Sequence, residues 1–203
     1  MLKRLMDVSI VLLSLPFWLP VMLVTALAVA WKLGRPVFFT QERAGLNCRP
    51  FKIIKFRSML EGDAPDAVRL TRFGRFLRAS SLDELPELLL VLTGRMSLVG
   101  PRPLPVRYLP RYTPEENRRH EVLPGITGWA QVNGRNLLSW EDKFRHDVWY
   151  IDHWSLWLDF KILYLTVATV FRHTGISAAG DATMSELGIR NEKLGINRPT
   201  EEE

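Results

Sequence analysis

Residues 8–31 form a run of 24 residues without a formal charge, and no other feature limits the possible folds so strongly. Lys3, Arg4 and Asp7 precede the run, and Lys32 and Arg35 follow it. A straight helix of that length is ~36 Å long, enough for the ~30 Å hydrocarbon layer of a bilayer. The run is too long for the apolar part of a cleaved signal peptide. Pro16 and Pro20 divide it into halves of about a dozen residues, each too short to cross alone. Both flanks are basic, which favours the cytoplasmic side for each. A helix-hairpin that enters and leaves by one face meets both observations. Proline-kinked spanning helices also exist, so on the residues alone the two topologies stay open.

The 203 residues suit one domain with an appendage. An apolar fraction of 47% with 24% charged residues excludes a disordered or collagen-like chain. A single cysteine, Cys48, excludes a disulfide framework and most structural zinc sites. The net charge of +5 is unevenly laid out: +1 over residues 1–31, +7 over residues 32–172 and −3 over residues 173–203. A basic middle beside an uncharged segment suits polyanions such as nucleotides, nucleic acid or anionic lipid.

Beyond Pro36, Val37-Phe38-Phe39 and Phe51, Ile53, Ile54 and Phe56 read as short strands around a polar turn at residues 43–47. Leu70, Phe73, Phe76 and Leu77 recur at helical spacing, with Arg69, Arg72, Arg75 and Arg78 between them. A second helix is predicted over residues 82–92. A proline-rich stretch with Pro101, Pro103, Pro105 and Pro110 follows, then a charged helix over residues 114–122. Residues 124–136 are punctuated by glycine and lack helical periodicity. Residues 141–172 read as one or two helices whose tryptophans and tyrosines suit a membrane interface or a core.

The familiar phosphate loops, nucleophile elbows and zinc motifs are missing, and the four histidines have no metal-ligand spacing. What remains is Ser80-Ser81-Leu82-Asp83-Glu84-Leu85-Pro86-Glu87. Ser81 and Glu84 fit a capping box, which would put Asp83 and Glu84 in a first helical turn. Carboxylates there also satisfy the helix dipole without any chemistry. Two points favour chemistry. Neighbouring helical residues diverge by ~100°, so Asp83 and Glu84 can serve different ligands, an attacking oxygen and a hard cation such as Mg²⁺. The pair also sits among cations: Arg78 lies five residues upstream, prolines stiffen Arg102 on both sides, and a turn dipeptide presents Arg135. Lys55 and Arg57 add two more beside a strand.

Five motifs, in order, carry a family resemblance. They are Phe39-Thr40-Gln41-x-Arg43-x-Gly45; Lys55-Phe56-Arg57-Ser58-Met59; Ser81-Leu82-Asp83-Glu84-Leu85-Pro86; Ser97-x-Val99-Gly100-Pro101-Arg102-Pro103; and the run from Pro124 through Gly125, Gly128, Trp129 and Gly134 to Arg135. With them, from the apolar segment to about residue 175, the chain resembles a small monotopic phosphoglycosyl transferase of the bacterial sugar transferase family, the type that initiates N-linked glycan assembly. The resemblance implies an α+β, mostly helical fold. It comprises a re-entrant membrane helix-hairpin over residues 1–33, a cytosolic-face catalytic domain over 34–175 with amphipathic interfacial helices and a short β element, and a polar tail over 176–203. The family's break is commonly a Ser-Pro pair; here Pro20 follows Leu19, and Pro16, with Ser14 nearby, can share the kink.

The implied activity moves a sugar-1-phosphate from a UDP-sugar to polyprenyl (undecaprenyl) phosphate, releasing UMP, at the cytoplasmic face of the bacterial inner membrane and in contact with its lipid. Asp83 is implied as the nucleophile that forms a covalent phosphosugar intermediate, a role suited to a carboxylate that divides one displacement into two. Glu84 and Asp83 are implied as Mg²⁺ ligands, and Arg78, Arg102 and Arg135 as phosphate holders. An enzyme alternative is a Mg²⁺-dependent pyrophosphohydrolase acting on nucleotide-sugars or lipid diphosphates. Nucleic-acid binding gives no reason for carboxylates among the arginines and is not expected. The residues specify neither the sugar nor an oligomeric state.

Overall fold

The computed structural model describes residues 1–134, 138–172 and Leu187. Arg135 and, Leu187 aside, the tail beyond residue 172 lie outside them. The described chain is mostly helical, with four short strands.

Helix α1 (Leu2–Leu33) runs through both prolines as one 32-residue element. By length and composition it can cross a membrane. A proline removes one helical hydrogen bond and crowds the preceding turn. Side chains add bonds to carbonyls ahead of Pro16: Ser14 Oγ donates to Ile10 O (2.7 Å) and Val11 O (3.2 Å), and the Trp18 indole donates to Val11 O (2.9 Å). One face of α1 is buried through Val11, Trp18, Val29 and Leu33, while Leu13, Phe17, Leu27 and Trp31 are exposed.

Strands β1 (Phe38–Ala44) and β2 (Pro50–Phe56) form the antiparallel hairpin read from the sequence, with Phe39 opposite Lys55. The turn holds Asn47 and Cys48 at positive φ. Two short helices follow, α2 (Asp66–Arg69) and α3 (Arg72–Ala79), the second capped by Thr71, whose side chain accepts from Gly74 N. Gly74 seats α3 directly on the chain at Ser58: a Cβ there would lie 1.8 Å from the Ser58 carbonyl oxygen. The apolar stripe of α3 is split, with Leu77 buried and Phe76 exposed.

The helix expected over residues 82–92 is two pieces. Leu82–Glu84 is a 3₁₀ turn, and α4 (Glu87–Leu92) starts after Pro86. The capping box expected of Ser81 and Glu84 does not form: Ser81 sits at φ 56° and its side chain caps nothing. Pro86 has no N–H to offer the Leu82 carbonyl and its ring crowds that turn, and α4 takes up its helical bonding only after it. A capping box does occur at Thr113 and Glu116, starting α5 (Pro114–Asn117).

Strands β3 (Ser97–Val99) and β4 (Gly125–Thr127) pair in parallel, a contact that the glycine-punctuated stretch did not announce. Its glycines permit backbone to meet backbone. A Cβ on Gly125 would lie 2.1 Å from Gly100 N, and one on Gly128 2.2 Å from Gly100 O. The remaining helices are α6 (Trp129–Val132), α7 (Trp140–Asp152) and α8 (Leu156–Arg172). Part of the aromatic load is core, as at Tyr150 and Phe144, and part faces out, as at Trp157 and Tyr164.

Both ends of α1 are fastened to this domain. Near its start, Lys3 Nζ lies 2.6 Å from Asp159 Oδ2 on α8, and Arg4 donates to the carbonyls of Val91 and Leu92 on α4. Asp7 accepts from Ser97 Oγ (2.7 Å) and Leu98 N (3.3 Å) on β3. At its end, the Leu33 carbonyl accepts from Arg57, while Val29 and Leu33 pack with Phe56 and Leu77.

Candidate active site

Asp83 and Glu84 occupy the 3₁₀ turn between α3 and α4, where successive side chains diverge by ~120°. The structure gives the two carboxylates different surroundings. Glu84 Oε1 is 2.5 Å from Lys55 Nζ of β2 and also accepts from Arg102 in the loop after β3. Asp83 is buried, yet no described residue donates a hydrogen bond to it. Its oxygens are left for another ligand.

The electrostatics follow from this division. Burial, then the neighbouring Glu84 charge, pushes the Asp83 carboxyl up to about 6, against the pull of Lys55, Arg102 and Arg78. Burial also works against ionisation of Glu84, but Arg102 and Lys55 outweigh it and hold that carboxyl well below the usual carboxylate range. One carboxylate is paired through Oε1 and its ionised form is favoured; the other is raised and has no donor among the described residues.

Glu87 is a third carboxylate that sequence reasoning missed as a site residue. It is almost wholly buried at the start of α4, with Oε1 3.2 Å from Lys55 Nζ. Burial and the Glu84 charge push it up to about 7. The only hint was its spacing, three residues after Glu84, which returns it to the same side of the chain.

The predicted cations divide. Lys55 and Arg102 meet at Glu84. Arg78 Nε donates to Ser58 Oγ (2.9 Å) and acts on Asp83 through its charge. Arg57 instead makes its contacts with the Leu33 carbonyl and with Glu61, 3.4 Å away, bracing the end of α1. Arg135 lies outside the described residues. Arg43 and Lys143 extend the positive field: burial, then the Arg102 charge, lowers Arg43 to about 10 and Lys143 to about 8.

Beside the turn, an apolar groove of about 360 Å³ opens between α1 and α3, lined by Pro20, Val24, Phe73, Phe76, Leu77 and Leu82 among others. Leu82, the chain neighbour of Asp83, is part of that lining.

The donor set can be tested against Mg²⁺. Among the described residues no group of three or more His, Cys, Asp or Glu is placed to hold a metal. Mg²⁺ needs no such cage, since it takes one or two carboxylates and completes its shell with water and substrate phosphate oxygens. The open Asp83 carboxylate, with Glu84 next to it, fits a site shared with a bound phosphate.

A model of the bacterial sugar transferase family matches residues 1–173. The chain is 53% identical over 188 residues to the uncharacterized sugar transferase EpsL of Bacillus subtilis, covering 90% of this chain and 93% of the relative. It is 43% identical over 185 residues to the UDP-glucose:undecaprenyl-phosphate glucose-1-phosphate transferase of Xanthomonas campestris pv. campestris, covering 83% of this chain and 38% of the relative. It is 39% identical over 191 residues to the UDP-N-acetylgalactosamine-undecaprenyl-phosphate N-acetylgalactosaminephosphotransferase of Aeromonas hydrophila, covering 87% of this chain and 45% of the relative. The chain therefore spans less than half the length of these last two proteins.

Proposed function

The chain belongs to the bacterial sugar transferase family, and on that premise we propose that it transfers a sugar-1-phosphate from a UDP-sugar to undecaprenyl phosphate through an intermediate on Asp83. The observation that carries this reading is the contrast within one turn. Asp83 is a carboxylate raised to about 6 with no donor among the described residues, while its neighbour Glu84 is paired through Oε1 with Lys55 and Arg102. A carboxylate with a raised pKa and no hydrogen-bond donors is a better nucleophile than one held by two cations.

In the proposed reaction an Asp83 oxygen attacks the sugar-linked phosphorus. The bond from that phosphorus to the bridging oxygen breaks, and UMP departs with that oxygen. An oxygen of undecaprenyl phosphate then attacks the same phosphorus, the Asp83 oxygen–phosphorus bond breaks, and the carboxylate is restored. Arg78 and Arg102 hold phosphate oxygens, as guanidinium forks suit them. Arg135 shares that role by the family resemblance. Mg²⁺, held by Asp83 and Glu84 together with the diphosphate, would neutralise charge on the leaving nucleotide.

The acceptor's lipid character is supported by the apolar groove between α1 and α3, whose lining includes Leu82, next to Asp83 in the chain. A one-leaflet placement of α1 is supported by its two fastened ends. A helix crossing ~30 Å of hydrocarbon would carry one end away from the polar domain to which both ends are attached. The exposed Trp157 and Tyr164 of α8 suit headgroup depth at the same cytoplasmic face. Cysteine labels placed before Lys3 and after Lys32 in sealed vesicles should react from one side; reaction from opposite sides excludes the hairpin.

The activity is tested by offering a panel of UDP-sugars with undecaprenyl phosphate and scoring UMP. Omitting the acceptor separates transfer from hydrolysis. Transfer through Asp83 leaves sugar-derived label on the protein, whereas a pyrophosphohydrolase frees sugar phosphate. The three relatives above are named as transferases or phosphotransferases, so nothing in them favours the hydrolase.

A further inference from the structure

The loop that delivers Arg102 is tied down by an ion pair that the proposed chemistry does not use. Arg119 stands in the 3₁₀ turn Arg118–His120, after α5, and is buried. Its Nε and one terminal nitrogen lie 3.0 and 2.7 Å from Asp147 Oδ2 on α7. The same terminal nitrogen donates to the Arg102 carbonyl at 2.8 Å. The guanidinium is oriented by two rings, Tyr112 at 5.8 Å and Phe144 at 5.5 Å, which meet edge to face.

A buried ion pair is weak evidence for stability, because desolvating both charges offsets most of their attraction and apolar side chains of equal volume hold a fold as well. What apolar side chains cannot do is donate to a carbonyl. Arg102 lies between Pro101 and Pro103, which restrict φ and supply no N–H of their own. Fixing its carbonyl therefore fixes the peptide plane from which its side chain projects, and that side chain reaches Glu84.

From this we infer that Arg119, oriented by Asp147, is a positioning residue that aims Arg102 at Glu84 and the substrate phosphates. The inference rests on the proposed transferase reading. Catalysis is steep in position, and a 1 Å misplacement can cost on the order of 10²-fold.

The test is a kinetic cycle on the full chain in detergent or nanodiscs, with UMP release as the readout. Arg119→Lys keeps a charge opposite Asp147 but loses the planar fork that bonds Asp147 and the Arg102 carbonyl together. It should unfold near the wild-type temperature and lose roughly 10- to 100-fold in kcat. In an Arg102→Met background the same change should add almost nothing, because its only route is through Arg102. A merely structural role would multiply the two losses. Asp147→Asn, which leaves Arg119 in place with its partner's shape kept, provides a second entry to the cycle should Arg119→Lys fail to fold. Full activity in a folded variant, multiplying losses, or failure of both variants to fold each overturns the inference. A wild type that releases no UMP from any UDP-sugar overturns the transferase reading, and this inference with it. An active wild type with multiplying losses overturns the inference alone.

Discussion

Lys55 Nζ lies 2.5 Å from Glu84 Oε1, so the lysine of β2 neutralises the carboxylate beside Asp83 and leaves Asp83 open. The same ammonium stands 3.2 Å from Glu87, joining two largely buried carboxylates through one cation. Removing one partner of such a cluster strands the others in a poorly solvated place.

Lys55→Met should therefore destabilise the protein by about 3 kcal/mol, the range for breaking a buried pair. Arg102 still serves Glu84, while Glu87 loses its cation. Denaturation in mild detergent checks this. Lys55→Arg should recover much of the stability, and a methionine variant as stable as wild type would show that the cluster contributes nothing.

Asp83→Asn should separate activity from stability. The amide cannot act as the nucleophile, so UMP release and labelling both vanish. The buried carboxyl, raised to about 6 from an ordinary 3.8, is a charge the fold tolerates at a cost above that pH. Its removal should raise stability at pH 7.5 by on the order of 1–3 kcal/mol, since each pKa unit is worth ~1.4 kcal/mol. The gain should fade as pH falls from about 6 and disappear well below 3.8, where Asp83 is protonated in both the folded and unfolded chain.

The pH profile has a definite sign. In the proposed reaction Asp83 attacks only when ionised, so kcat/KM should rise through about pH 6 and level off above it, falling tenfold per unit on the acid side. Burial is the larger cause of the raised value and the Glu84 charge the next. Glu84→Gln removes the second and should move the acid limb of the residual activity to lower pH. A limb that stays or moves upward would show that the Glu84 charge does not reach Asp83.

The attachment of α1 can be measured at Asp7. Its buried carboxylate accepts from Ser97 Oγ and Leu98 N, and Asp7→Ala strands both donors. A loss of about 2–4 kcal/mol is expected for two unsatisfied groups, with faster hydrogen exchange at the start of α1 and in β3. Ser97→Ala should cost less, and the double variant less than the sum of the two.

Local pattern made much of this protein legible in one dimension. The charge-free run, the β-like runs around a polar turn and the helical spacing near Phe73 and Leu77 each depend on neighbours in sequence, and each has its element in α1, the β1–β2 hairpin and α3. The Asp83-Glu84 pair stood out because carboxylates among arginines need a reason. Where local rules competed, the reading failed: Ser81 and Glu84 had the letters of a capping box, but Pro86 broke the helix they would have capped. Parallel pairing of β3 with β4 left only glycines as its trace, because it joins segments far apart and needs backbone to touch backbone.

The sequence by itself determined which groups the protein owns: an apolar helix, two adjacent carboxylates and a supply of cations. Only the tertiary structure decided their assignments. Lys55 and Glu84 are 29 residues apart, Arg102 and Glu84 18, and Arg119 and Asp147 28. No periodicity links such positions. They meet because the fold brings the β1–β2 hairpin and the proline-stiffened loop to one turn, and α7 to the Arg119 that holds that loop, leaving Glu84 paired, Glu87 buried and Asp83 without a donor among the described residues.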